Sequence, residues 1–146
     1  MPRFEGRSAG YPRIMSSDFS KTNLRTDVEN AAAKFGLPPP FEARFAKQSL
    51  DASELGVSLQ KIGAGKSSPF AHRHKEQPEE LYVVVAGSGT ITVDGVEHPI
   101  AAWDAIHVAG PVTRAFAAGD EDLEFLAFGQ IHPTDSELIE TTSDEG

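Results

Sequence analysis

His72 and His74 are separated by a single residue, and Glu80 follows after a short polar stretch. On a β-strand, residues two apart point to the same side, so the segment from Pro69 to Lys75 presents Phe70, His72 and His74 on one face. Two imidazoles aimed together, with a carboxylate delivered by the next strand, make a facial three-donor set for a divalent transition ion such as Fe, Mn, Ni, Cu or Zn. Coordination positions then remain open for a small molecule. The competing reading is a pair of half-buried imidazoles on an edge strand, with Glu80 a solvated charge beside Glu76 and Glu79. The flanking pattern favours the metal reading.

The elements that must position these side chains are strands. From Phe41 onward, short β-forming segments alternate with turn residues at regular spacing, which points to an all-β sandwich or barrel and away from βα units. Leu55, Val57 and Leu59 alternate with Gly56, Ser58 and Gln60, and Leu81 to Val85 reads as a central strand buried on both faces. Asp94-Gly95 between Thr90–Val93 and Val96–Ile100 is a hairpin signal, because both residues tolerate the positive φ of a type I′ turn. Strands are also expected at about Ala105–Val108, Val112–Phe116 and Leu123–Phe128. Residues 1–40 read as an N-terminal arm, in which Asp27–Phe35 is compatible with a short helix stopped by Gly36. The barrel is expected over 41–132, and 133–146 reads as an acidic, flexible tail.

A length of 146 residues fits a single barrel domain with a real core. Without cysteine there is no disulfide, zinc-thiolate site or thiol nucleophile, and a reducing, cytoplasmic compartment is the expectation. Thirteen Lys and Arg against 22 Asp and Glu give a net charge of −9, which repels a phosphate backbone and disfavours nucleic acid. No signal-peptide pattern opens the sequence, and no apolar run approaches the roughly 18 residues of a membrane span. No Gly-x-Ser-x-Gly elbow is present, and Gly63-Ala64-Gly65-Lys66 lacks the spacing of a phosphate loop. His98, His107 and His132 read as surface or tail residues.

His72, Arg73 and His74, followed by Glu80 and Gly87, resemble the first sequence motif of the cupin superfamily. Trp103 to Arg114 resembles the second, with Asp104, an aliphatic strand and a turn at Gly110 and Pro111. The resemblance spans about Phe41 to Gln130 and implies a double-stranded β-helix, or jelly-roll barrel, whose hollow holds His72, His74 and Glu80 as metal ligands. It also implies a homodimer, which an apolar outer sheet face and the N-terminal arm would suit. Five residues separate His74 from Glu80, one more than the family's spacing, so Glu79 is the alternative carboxylate; the distance to Gly87 favours Glu80.

Arg114 stands where the family's last histidine ligand belongs. A guanidinium has no lone pair to donate, so three outcomes are open. Arg114 pairs with Glu80 in a metal-free site, or clamps an anionic substrate beside a metal held by the other three residues, or faces solvent. The expected function is a cupin that binds a small anionic molecule, with Arg114, Tyr82 and Phe70 on the ligand side and the divalent metal either present or absent. The alternatives are a metal-dependent enzyme, a dioxygenase or isomerase, and a metal-free isomerase or cyclase using His72 and Arg114. Whether the chain is an enzyme is left open by the residues alone.

Overall fold

Period-2 alternation of apolar residues does produce strands, and nearly all of the regular structure is β. The computed structural model describes residues 14–15, 18–68, 70–130 and 136–140; Ile14, Met15, Phe70 and residues 136–140 are described through strand pairing alone. In chain order the strands are β1 (Ile14–Met15), β2 (Ser20–Lys21), β3 (Glu42–Phe45), β4 (Gly56–Ile62), β5 (Phe70–His74) and β6 (Glu79–Ala86). They continue as β7 (Ser88–Val93), β8 (Val96–Ala101), β9 (Ala105–Ala109), β10 (Arg114–Ala118), β11 (Leu123–Gly129) and β12 (Ser136–Glu140). β1 and β2 pair with each other. The rest form two five-stranded sheets, ordered β12-β5-β10-β7-β8 and β3-β4-β11-β6-β9, with antiparallel neighbours throughout. This is a two-sheet jelly-roll barrel.

The core lies between the sheets. Ile91 and Phe116 enter it from one sheet, and Tyr82, Val84, Val108, Leu123 and Phe125 from the other. Phe116 stacks on Phe125 at 4.2 Å between ring centroids, and Tyr82 meets Phe116 edge-on at 4.9 Å, so three aromatic rings close the gap between the sheets. Each such ring contributes roughly 1.5–3 kcal/mol by burial, and together they form the floor beneath the site described below.

The β7–β8 hairpin turns at Asp94 (φ 45°) and Gly95 (φ 81°), with Val93 opposite Val96, as the dipeptide predicts. The expected helix is shorter than Asp27–Phe35: only Ala32–Phe35 closes, as a 3-10 turn ending at left-handed Gly36. Asn30 explains the difference. Its side-chain oxygen accepts from the amides of Ala32 and Ala43, which pins the preceding backbone to β3 in a non-helical path. The expectation of burial on both faces of Leu81–Val85 also needs correction, since Tyr82 and Val84 are buried but Leu81 is 49% exposed. Only the inner face of β6 packs against the opposite sheet. Residues 136–140, read from sequence as part of the tail, pair antiparallel with β5. Among the described residues no helix is long and apolar enough to cross a membrane.

Candidate metal centre

Strand register brings the three sequence-predicted ligands together. β5 turns His72 and His74 to the interior, and β6 turns Glu80 and Tyr82 there. One ligand atom from each of His72, His74 and Glu80 can be chosen so that all lie within 4.8 Å of one another. His74 Nε2 is 3.3 Å from Glu80 Oε2, and His72 Nε2 is 3.7 Å from Glu80 Oε1. His74 and Glu80 are both 4% exposed, whereas the His72 side chain keeps 23% of its surface in contact with solvent. The cluster is therefore approached from the His72 side.

The extra residue between His74 and Glu80 does not bring Glu79 into the site. Glu79 points outward and meets His107 on β9 at 3.0 Å, with both side chains more than half exposed. Alternation on β6 makes Glu80 the interior carboxylate.

Burial alone would raise the Glu80 carboxyl. Hydrogen bonds from His72, His74 and Tyr82, together with the charge on His74, more than offset it and hold the group well below the usual carboxylate range. The Tyr82 hydroxyl donates to Glu80 Oε1 and lies 3.4 Å from His72 Nε2. Its own phenol is pushed well above its ordinary range, first by burial and then by the negative charge of Glu80. Tyr82 therefore has its ring in the core and its hydroxyl against Glu80.

Arg114 is directly opposite His72 in the β5–β10 register and fully buried. Its guanidinium donates to the carbonyls of Gly110 (3.1 Å), Ala109 (3.2 Å) and Val108 (3.4 Å), while its Nε makes no hydrogen bond. Among the described residues no ion pair joins it to Glu80. Of the three outcomes open from sequence, neither the Glu80 pair nor exposure to solvent is seen. The side chain ties down the end of β9 and the turn that follows it. Phe70 lies on β5, and its side chain is outside the described residues, as is His132.

Two further groups were not singled out by sequence. Gln77, 3% exposed, donates from Nε2 to Glu80 Oε2 at 3.2 Å. The signal for it was the lengthened spacing between His74 and Glu80, in which Gln77 is the one uncharged polar residue. Beside His72 is a cavity of about 60 Å³ walled by Leu37, Phe41, Gln60, Ser68, Phe116 and Phe125. Leu37 and Phe41 come from the connection before β3, where no periodicity marks a residue as a wall.

Comparison with known proteins bears on this geometry. Residues 58–129 match the family model described as Cupin domain. The dimethylsulfoniopropionate lyase DddW of Ruegeria pomeroyi is 30% identical over 106 residues, covering 70% of this chain and 68% of that protein. Among solved structures, a cupin protein from Bacteroides fragilis is 28% identical with a TM-score of 0.57, over 75% of this chain and 85% of that one. A sugar phosphate isomerase from a cupin superfamily, from Silicibacter pomeroyi, is 26% identical with a TM-score of 0.63, over 85% and 83% of the two chains.

Proposed function

The chain belongs to the cupin superfamily, and from that premise we propose that its barrel holds one divalent transition metal through His72, His74 and Glu80 and offers the ion's open face to a small carboxylate. The convergence of two imidazoles and one carboxylate inside a barrel carries this reading. The donor set fits Fe, Mn, Ni, Cu or Zn, because imidazole and carboxylate suit borderline divalent ions and no thiolate is present. A bound ion would supply Lewis acidity toward a ligand oxygen.

The remaining chemistry belongs to the chain. Phe41, Phe116 and Phe125 wall an apolar cavity beside His72, and Gln60 and Ser68 give it uncharged hydrogen-bonding groups. Lys61 also borders it, yet its ammonium lies 3.5 Å from both Glu42 and Asp122. The cavity therefore suits the uncharged or apolar end of a small molecule. Metal analysis of protein purified without chelator tests the proposal: near-stoichiometric transition metal is expected, and none after reconstitution would overturn it.

A second reading, that the protein is a lyase, is favoured by the Tyr82 hydroxyl placed against Glu80 and near His72, and by the likeness to a dimethylsulfoniopropionate lyase. Elimination breaks a C–H bond and the neighbouring C–S bond, releasing dimethyl sulfide, and needs a base for the carbon-bound proton; Tyr82 would be that base as its phenolate, a form that a bound cation beside it would favour. The metal-loaded protein is incubated with dimethylsulfoniopropionate and the substrate methyl signal followed by proton NMR. Consumption that disappears in Tyr82→Phe supports the lyase; no consumption with any of the five metals overturns it. The reading extends to a homodimer, supported by Leu81 and partly exposed Val57 and Phe128, which lie side by side on the outer face of β6, β11 and β4.

A further inference from the structure

We infer that Gln77 is a positioning residue which fixes the rotation of the Glu80 carboxylate, so that each of its oxygens is turned toward one imidazole; this rests on the metal reading above. The two carboxylate oxygens have different surroundings. Oε1 faces the Tyr82 hydroxyl and His72, while Oε2 faces the Gln77 amide and His74. A carboxylate with a donor on each oxygen cannot turn about its terminal bond without losing both hydrogen bonds.

The Gln77 amide and the loop that carries it are themselves held in place. The amide oxygen packs over Gly129, which stands opposite Glu80 in the β6–β11 register; a Cβ at that glycine would lie 2.6 Å from Gln77 Oε1. The loop that carries Gln77 is tied at both ends to Gly110, whose carbonyl accepts from the His74 amide (2.8 Å) and whose own amide donates to the Pro78 carbonyl (2.9 Å). Arg114 fixes the same Gly110 carbonyl. Arg114, at the family's last-ligand position, and Gln77, within the longer loop, are therefore parts of one support for Glu80.

The choice of an amide follows from the chemistry. A second carboxylate at this place would repel Glu80, and a lysine ammonium would compete with the metal for the same oxygen. A neutral N–H donor orients the carboxylate without neutralising it. The carboxylate also settles the amide's orientation, since the flipped form would set two acceptor oxygens against each other.

Cobalt(II) is the probe, added to the metal-free full chain and read by visible absorption and by affinity. Gln77→Met keeps the length of the side chain and removes the donor; Gly129→Ala keeps Gln77 and displaces its amide. Both are expected to weaken cobalt binding about 10- to 100-fold and to alter the absorption bands of the saturated protein, which a purely structural role would leave unchanged. Gly129→Ala carries the test if Gln77→Met does not fold. Unaltered bands and affinity in the variants would overturn the inference and leave the metal reading standing, whereas a wild-type protein that binds no cobalt would overturn both.

Discussion

Arg114 and His72 stand directly opposite one another on neighbouring strands, yet the guanidinium makes its hydrogen bonds to the backbone of residues 108–110. The place where the family resemblance puts a last ligand is thus filled by a buried cation that braces the turn behind the cluster of His72, His74 and Glu80.

Because Arg114 braces three backbone carbonyls, two of them buried, Arg114→Met should destabilise the protein by about 3 kcal/mol as all three lose a charged donor at once. Urea unfolding of the metal-free protein measures this. The variant is expected to keep His72, His74 and Glu80 and to bind metal still.

The imidazoles behave differently. His74→Ala removes a donor that is almost wholly buried against Glu80, and is expected to abolish bound metal in elemental analysis while the barrel still folds. Retention of stoichiometric metal by this variant would mean that the ligands lie elsewhere.

Glu80 gives the stability a dependence on pH. In the unfolded chain its carboxyl titrates near 4.5, and in the folded, metal-free protein well below that. As pH falls, the unfolded state takes up the proton first, so the stabilisation is complete above about pH 4.5 and is lost progressively below it. The urea midpoint of the metal-free wild type should therefore fall more steeply between about pH 5.5 and 3.5 than that of Glu80→Gln.

Trp103 is 76% exposed and has a φ of 73°, a left-handed conformation that costs a non-glycine residue on the order of 1 kcal/mol. Trp103→Gly is expected to raise the melting temperature slightly, with no effect on metal content. A fall would show that the indole makes a contact worth more than the strain.

Strand alternation made the clustering of His72, His74 and Glu80 legible, since it needed only period two and the correct next strand; Glu80 was preferred to Glu79 for its spacing to Gly87, and alternation on β6 agrees with that choice. The Asp94-Gly95 turn was equally readable, since its φ values are intrinsic to those residues. Arg114 was less so. Alternation fixes the direction of its Cα–Cβ bond, but a long side chain selects among acceptors that only the folded turn assembles. Gln77 lies in a loop, where burial has no period, and the exposure of Leu81 was not legible because an apolar strand does not reveal whether its second face is covered. Asn30 shortened the expected helix through a bond to the distant Ala43, which local propensity does not encode.

The strand carrying both imidazoles finds most of its main-chain pairing late in the sequence. β5 meets β10 in register at His72 and Arg114, but it meets β12 along its whole length, from Phe70 opposite Glu140 to His74 opposite Ser136. During synthesis β5 therefore emerges well before its principal neighbour, and its pairing is complete only after residues 136–140 have left the ribosome. Any clipping or fusion at that neighbour would be felt at the imidazoles.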